Sequence, residues 1–256
     1  MYFGNLQINK VDLMNFPYWQ LILSQEFPRN SFPLNTHATS SFCTFTPYQN
    51  NGGTIISINM EDFSIVASDT RISSGFTIPS RETMRIIKIS ENILLSTSGM
   101  RVDMLVLQEE FKKTVNLWEI ENKKTIPVSS GAYILSSILY SRRFFPYYTF
   151  NIVSGKELNG TIKSFSFDAV GSFESCVATS SGTGQHFIQP LLDNQFKHQS
   201  TEKTQFKKNN ILKNLMMVKY LFLKASKRNI EIGDGIQIFI LTRKGILVEN
   251  SVLRCD

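Results

Sequence analysis

The stretch from Gly52 to Arg71 contains two short apolar runs separated by a brief polar segment. The first run is Ile55–Ile58 and the second is Phe63–Ala67, and both are rich in β-branched residues. The polar residues Asn59–Asp62 between them favour a turn. Short β-branched runs bounded by turn residues are typical of two buried strands joined as a hairpin. We therefore predict a two-stranded hairpin as the element on which the fold is built.

Further strand patterns follow this hairpin and return later in the chain. Gly75–Ile78 predicts a short strand, and Met84–Ser90 with Ile93–Thr97 predicts a second hairpin. The other predicted strands are Tyr147–Val153, Ser164–Phe167, Ser175–Thr179, Ile236–Thr242 and Ile246–Leu253. Arg243–Gly245 provides the turn between the last two.

Four segments have helical periodicity. Arg101–Asn122 has apolar residues at spacings of three and four, which predicts an amphipathic helix. A second helix is predicted to be capped by Ser129 or Ser130 and to end at Arg142–Arg143. The remaining two are Gln185–Gln195, interrupted by Pro190, and Asn210–Arg228. The resulting order of strands and helix pairs is satisfied by two facing sheets with a pair of helices outside each sheet.

Composition excludes several kinds of site. The chain has 256 residues, enough for a sizeable core. Its three cysteines are Cys43, Cys176 and Cys255, whose odd number and wide spacing indicate free thiols in a reducing compartment. No pair of histidines or cysteines has the spacing of a metal site, so we expect no metal and no cofactor. The apolar run Trp19–Leu23 is too short for a signal sequence or a membrane span.

The net charge of +6 includes a lysine-rich stretch in the second half of the chain. Its charged residues are Lys197, Lys203, Lys207, Lys208 and Lys213, opposed by Glu202. This stretch matches no nucleic-acid module, so we interpret it as a solvated insertion at about residues 196–210 and expect no nucleic-acid partner. The alternative is a nucleic-acid or surface-binding module, whose binding would weaken steeply with salt.

Four blocks of sequence occur in an order that resembles the β-type subunits of the proteasome. They are Leu139–Tyr148, Ser166–Asp168 with Val170–Ser172, Gln189–Gln195, and Phe45–Tyr48 with Asn51–Thr54. The resemblance covers about residues 44–256. It implies an α+β fold, the four-layer αββα sandwich of the N-terminal nucleophile (Ntn) hydrolases. It also implies that residues 1–43 are a leader that neighbouring active subunits trim.

The resemblance also assigns the positions of the family's catalytic site. In active members an N-terminal threonine is the nucleophile, an aspartate follows it by sixteen positions and a lysine by thirty-two. Counting from Asp69 places Gly53 at the threonine position and Arg85 at the lysine position. Thr183 stands where active members have serine, and Asn229 stands where they have aspartate. We therefore predict a degenerate site at these five positions and no catalytic residue.

Thr54 is the fallback nucleophile, because cleavage after Gly53 would free its amine. Its separation from Asp69 is one position short, and a slip of one residue turns a strand's side chains to the other face. Arg85 would also remain, and arginine does not release its proton in proteins. We therefore expect Asp69 to have a structural role, paired with Arg71 or Arg85.

The function implied by the resemblance is that of a non-catalytic structural β subunit of the 20S core particle in ATP- and ubiquitin-dependent protein degradation. Such a subunit builds the β ring and lines a neighbouring active site. We expect the loop Asp168–Ser175 to border that neighbour's channel. The implied partners are β-5 and β-7 neighbours, an α ring and the opposite β ring, in a hetero-oligomer of twenty-eight chains. The implied location is the cytoplasm and nucleus, with no membrane partner.

Overall fold

The structure is a computed structural model that describes residues 47–60, 62–196 and 211–254. Within these ranges the strands are β1 Thr54–Asn59, β2 Phe63–Asp69, β3 Ile72–Ser74, β4 Thr77–Ser80, β5 Ile86–Lys88, β6 Ile93–Gly99, β7 Thr149–Lys156, β8 Ile162–Phe167, β9 Phe173–Ser175, β10 Ala178–Gly182, β11 Gly235–Thr242 and β12 Gly245–Val252. The helices are α1 Arg101–Asn122, α2 Val128–Ser141, α3 Gln185–Phe196 and α4 Ile211–Ser226. The leader 1–43 and most of the lysine-rich insertion lie outside the described residues.

The described strands form two five-stranded antiparallel sheets and one small hairpin. The first sheet has the order β10-β1-β2-β11-β12, and the second has the order β5-β6-β7-β8-β9. The third unit is the β3-β4 hairpin. Helices α3 and α4 pack on the first sheet, whereas α1 and α2 pack on the second. Because β1 also contacts β6 and β8, the two sheets face each other and the predicted αββα sandwich is confirmed.

Burial follows from this layering. Every residue of β2 and of β6 is buried, because each strand is covered by the other sheet on one face and by helices on the other. One hydrophobic cluster joins the first sheet to α3 and α4, and a second joins the other sheet to α1 and α2. In the described chain, no helix is long and apolar enough to cross a membrane.

Four buried serine hydroxyls join the two sheets at their contact. Ser57 and Ser64 come from the first sheet, and Ser154 and Ser164 come from the second. The Ser57 hydroxyl lies 3.2 Å from that of Ser154 and 3.1 Å from that of Ser164. Ser164 is also 3.3 Å from Ser64 and 2.9 Å from Ser154. The small side chains allow close approach of the sheets, and their mutual hydrogen bonds satisfy polar atoms that burial would otherwise destabilise.

Two local strand predictions were wrong. Gly75 and Phe76 form the turn between β3 and β4 and do not lie within a strand, because the positive φ of Gly75 reverses the chain there. The predicted strand Ser175–Thr179 is divided, since β9 pairs with β8 in the second sheet and β10 pairs with β1 in the first. Cys176 and Val177 therefore carry the chain from one sheet to the other.

Two helix predictions also need correction, although α1 has the predicted bounds. Helix α2 begins at Val128, one residue before Ser129, and its N-cap residue is Pro127 in an extended conformation. Ser129 donates to Glu157 instead of capping the helix. Pro190 lies inside α3 without ending it. Asn210, the predicted start of the last helix, lies outside the described residues.

Candidate functional site

The β1-β2 hairpin brings the first of the predicted site residues together. Its register pairs Ile55 with Ser68, so Thr54 and Asp69 lie at the same end of the hairpin. The backbone N–H of Thr54 donates to Asp69 Oδ1 at 2.8 Å. Thr54 is also paired with Gly182 of β10, which fixes it in the middle of three adjacent strands. The carboxylate of Asp69 is thus held by a backbone amide at the buried end of the hairpin.

Arg85 lies beside this carboxylate in the buried interior. Its Nε is 3.3 Å from Asp69 Oδ1, and both side chains are completely buried. Burial raises the pKa of Asp69 to about 6, although the Arg85 charge and the Thr54 amide act in the opposite direction. Burial likewise lowers the pKa of Arg85, while Asp69 opposes that change. Arg85 also donates to the carbonyl of Arg71, so its guanidinium is fixed between two strands' ends. The sequence predicted that Asp69 pairs with Arg71 or Arg85. The structure shows the pair with Arg85.

Gly53 has no room for a side chain. A Cβ added there would lie 2.2 Å from Cζ and 2.3 Å from Nη1 of Arg85, far inside any real contact. Its φ of +97° is in addition a backbone conformation that favours glycine. The Arg85 guanidinium thus fills the space that a nucleophilic side chain at position 53 would need. Residue 53 can supply neither a hydroxyl nor any other reactive side-chain group.

Thr54, the fallback nucleophile, is placed in the core. Its side chain is completely buried, and its Oγ1 accepts a hydrogen bond from the Gly184 N–H at 2.9 Å. The hydroxyl therefore fixes the segment that precedes α3. Its own nitrogen is a peptide nitrogen that donates to Asp69. In this arrangement Thr54 has neither an accessible hydroxyl nor a free amine to act as its base.

The remaining two predicted positions border the same place. The Thr183 N–H donates to the Gly53 carbonyl at 3.0 Å, and the Asn229 amide lies 3.4 Å from the Thr183 carbonyl. Asn229 Oδ1 accepts from the Glu231 N–H at 2.9 Å, which forms a local turn. Thr183 Oγ1 is buried without a hydrogen-bond partner among the described residues. Thr183 thus contacts the glycine through its backbone, and Asn229 contacts Thr183 through its side-chain amide. Neither residue adds a charge beside Asp69.

A second buried arginine site lies close to the first and was not predicted. Arg71 contacts Asp234 through two hydrogen bonds, Nε to Oδ2 at 2.7 Å and Nη2 to Oδ1 at 3.1 Å. Arg81 reaches the same carboxylate at 2.5 Å from the more exposed side. Hydrogen bonds to Arg71 and Arg81 lower the pKa of Asp234 below its usual value, against the effect of burial. Gly233-Asp234-Gly235 reads in sequence only as a turn, so nothing local indicates this role.

An open cleft lies beside Cys176 and Val177, where the chain crosses from the second sheet to the first. Its volume is about 930 Å³, and its lining includes Asp168, Glu174 and Asp193 together with aromatic side chains. The loop that follows β8 is closed by Asp168, whose Oδ1 accepts from the N–H groups of Gly171 and Ser172, both at 2.8 Å. Among the described residues, no group of three or more histidines, cysteines or carboxylates could hold a metal ion.

The chain is similar in sequence to known proteins over most of its length. The proteasome subunit family matches residues 49–231. The beta type-1-B proteasome subunit of Carassius auratus is 37% identical over 212 residues, which cover 83% of this chain and 90% of the relative. The beta type-1 subunit of Arabidopsis thaliana is 36% identical and covers 85% of this chain and 100% of the relative. The beta type-6 subunit of Saccharomyces cerevisiae is 36% identical, over 83% and 92%.

The chain therefore belongs to the proteasome subunit family. Within that family it is similar to β-type subunits, and the goldfish and Arabidopsis relatives are both of beta type-1. This is the family resemblance expected from the sequence blocks. Membership of the family implies that the chain works in an assembly with other proteasome subunits.

Proposed function

We propose that this chain is a non-catalytic structural β subunit of the 20S proteasome core. The observation that carries the proposal is the position of the Arg85 guanidinium, 2.2 Å from where a Cβ of residue 53 would begin. A threonine protease of this class needs an N-terminal threonine whose own amine accepts the proton. Glycine at position 53 removes the nucleophile, and the arginine beside it occupies the space of the missing side chain.

The neighbouring groups do not replace the missing chemistry. Active members depend on a lysine close to the amine, and an ammonium group can change protonation when it is buried. Arg85 retains its proton under all physiological conditions and is already committed to Asp69 and to the Arg71 carbonyl. Asp69 is then a structural partner of a fixed cation, which supports the reading of this carboxylate as non-catalytic.

The assembly that we propose follows the family. The chain sits in a seven-membered β ring between β-5 and β-7 neighbours, under an α ring and against the opposite β ring, in a particle of twenty-eight chains. That particle acts in ATP- and ubiquitin-dependent protein degradation in the cytoplasm and nucleus. Neighbouring active subunits trim residues 1–43, with the new N-terminus near Thr44. Intact-mass measurement of the purified particle and of this chain tests the chain count and the trimming site.

Substitution of Thr54 separates this proposal from the alternative of an active threonine protease. We expect particles that carry Thr54→Val to keep every peptidase activity within about twofold per assembled particle, because the hydroxyl has a structural role. The yield of assembled particles should fall, since the Gly184 amide loses its acceptor. A threonine-directed covalent inhibitor should label the active neighbours and leave this chain unlabelled.

Thr54→Ser is the matched control, because it keeps the hydroxyl and should keep the assembly yield. Loss of one peptidase activity in Thr54→Val particles, together with labelling of Thr54 in the wild-type chain, would establish the protease alternative.

The cleft beside Glu174 supports a second part of the proposal, in which the loop Asp168–Ser175 borders the channel of the adjacent chymotrypsin-like site. Glu174 is an exposed anion in the cleft lining. We expect Glu174→Lys to change the neighbour's relative cleavage of acidic and basic peptides by about twofold to fivefold at low salt. The effect should be modest because solvent and salt weaken the interaction between exposed charges. The control is Glu109→Lys on α1, whose side chain is 69% exposed outside the cleft. An unchanged preference in Glu174→Lys particles would remove this loop from the channel.

A further inference from the structure

The turn between β7 and β8 contains an Asn-Gly pair, Asn159-Gly160. The Glu157 N–H donates to the Thr161 carbonyl at 2.8 Å, and the Gly160 N–H donates to the Glu157 carbonyl at 3.0 Å. Gly160 has a φ of +80°, which suits a tight reversal of this kind. Asn159 itself is exposed. The turn therefore presents an asparagine side chain to water, with a glycine directly after it.

Thr161 donates twice to the side-chain carbonyl of Asn159. Its N–H lies 3.2 Å from Asn159 Oδ1, and its hydroxyl lies 2.7 Å from the same oxygen. The bond from the N–H is that of an Asx turn, which joins an asparagine side chain to the backbone two residues further on. The ring closed by that bond contains the Asn159–Gly160 peptide, so the side-chain carbonyl is folded back alongside this peptide. Two donors on one carbonyl oxygen also stabilise the negative charge that develops there when the carbonyl is attacked.

We propose that Asn159 is a site of spontaneous deamidation, at which the asparagine becomes aspartate or isoaspartate. The Gly160 nitrogen gives up its proton and bonds to Asn159 Cγ, while Oδ1 takes the negative charge. The bond from Cγ to the side-chain nitrogen then breaks, and that nitrogen takes up a proton and leaves as ammonia. The product is a cyclic imide, a succinimide. Water opens it at one carbonyl to give aspartate and at the other to give isoaspartate, so water is the only co-reactant.

The turn favours each of these steps. An added Cβ at Gly160 would have nothing within 4 Å, so ring closure meets no neighbouring side chain or backbone. The two Thr161 donors stabilise the charge on Oδ1 during the attack. The Gly160 N–H must first leave the Glu157 carbonyl, but this is a single hydrogen bond at an exposed turn and opens at little cost. Exposure of Asn159 admits the water that opens the imide.

The chain contains a second Asn-Gly pair, Asn51-Gly52, in opposite surroundings. Asn51 is only 9% exposed. Its side-chain nitrogen donates to the Ser73 carbonyl at 3.4 Å, and its Oδ1 accepts from the Arg101 N–H at 2.9 Å. Formation of an imide at Asn51 would break both of these bonds inside the core, where unpaired polar groups are costly. We therefore expect Asn51 to remain intact, which makes it an internal control in every sample.

Deamidation changes both the charge and the geometry of the turn. Aspartate adds a carboxylate to a turn that already holds Glu157, whose own carboxylate contacts the Ser129 hydroxyl and lies 3.4 Å from Lys163 Nζ. Isoaspartate lengthens the backbone by one methylene, so the hydrogen bonds across the turn lose their register. The proposal does not depend on whether the chain is catalytic.

The test follows purified particles with the wild-type chain, Thr161→Val or Thr161→Ser during incubation at neutral pH in oxygen-labelled water. Peptide mapping by mass spectrometry, after digestion at acidic pH, measures the acid formed at positions 51 and 159 and the label that imide hydrolysis introduces. We expect Asn159 to give both acids while Asn51 stays unchanged. Thr161→Val should slow the conversion by about twofold to tenfold, the factor that one hydrogen bond contributes. Thr161→Ser keeps the hydroxyl and should match the wild type.

Equal conversion at Asn51 and Asn159 would overturn the proposal, since the two surroundings would then have no effect. The same holds if Asn159 stays intact in particles while it converts in the urea-denatured chain. Conversion of Thr161→Val as fast as that of Thr161→Ser would also contradict it, because the hydroxyl would not stabilise the charge on Oδ1. None of these outcomes bears on the labelling of Thr54 by the threonine-directed inhibitor, so failure of this inference is distinct from failure of the proposed function.

Discussion

The Asp234→Asn variant is expected to lose about 3–5 kcal/mol of unfolding free energy, because it leaves the buried charge of Arg71 without its carboxylate. Arg71 is 0% exposed and makes a two-point contact with Asp234 at 2.7 and 3.1 Å. Asparagine retains the size of the side chain and tolerates the φ of 63° at this position. The loss of unfolding free energy therefore measures the contribution of the negative charge of Asp234. Urea denaturation of the full-length chain measures it, and the fraction of chain recovered in particles should fall in parallel.

Arg81→Gln is the matched control for this effect. It removes the other cation that contacts Asp234, but the Arg81 side chain is 47% exposed, so its pair is screened by solvent. We expect a loss of less than about 1 kcal/mol. If Asp234→Asn cost no more than Arg81→Gln, the carbonyl groups around Arg71 would be sufficient to hold its charge, and the ion pair would be unimportant for stability.

Gly53→Ala should be almost as damaging, for a different reason. The added Cβ would overlap the Arg85 guanidinium at 2.2 Å and would also strain a backbone with a φ of +97°. Overpacking costs about 1–3 kcal/mol and a left-handed backbone about 1–2 kcal/mol, so we expect a loss of about 3 kcal/mol. The same urea denaturation applies, and recovery in particles provides a second measure.

Gly75→Ala and Arg85→Lys separate the cost of backbone strain from the cost of overlap with the guanidinium. Gly75 has a φ of +58° with nothing within 4 Å of an added Cβ, so alanine there reports backbone strain alone. Combining Gly53→Ala with Arg85→Lys replaces the rigid guanidinium by a flexible side chain, and should recover about 1–2 kcal/mol relative to the sum of the single losses. Equal losses for Gly53→Ala and Gly75→Ala would show that Arg85 gives way easily and that the space at position 53 is not closed.

The sequence predicted best the elements whose signals are local. The helix predicted from the apolar spacing of Arg101–Asn122 has the bounds of α1. The turn predicted at Arg243–Gly245 also joins β11 to β12, with Arg243 and Lys244 between the strands and Gly245 as the first residue of β12. The crossing at Cys176–Val177 was not predictable in the same way, because β9 and β10 each look like strand and only their distant partners separate them. A continuous strand was the simpler interpretation of that run.

For the candidate site, the sequence identified positions but not contacts. Through the family resemblance, counting from Asp69 placed Gly53 at the position of the catalytic threonine and Arg85 at the position of the lysine. That the guanidinium lies over Gly53 depends on how β2, β5 and α1 pack, which no spacing contains. The hydrogen bond from the Arg101 N–H at the start of α1 to Asn51 Oδ1 and the pairing of Arg71 with Asp234 are also contacts between distant segments. Such contacts produce no periodic pattern in the sequence from which they could be predicted.

The central place of β2 in the first sheet has a consequence for synthesis. One edge of β2 pairs with its neighbour β1, but the other edge pairs only with β11, where Asp69 faces Ile236. At the usual 5–20 residues per second, a ribosome needs on the order of ten seconds to make the intervening chain. During that time β2 presents an open, isoleucine- and valine-containing edge, the kind of template on which other chains add as strands. Until β11 emerges, the strand around which the first sheet is built therefore lacks its native partner along one edge.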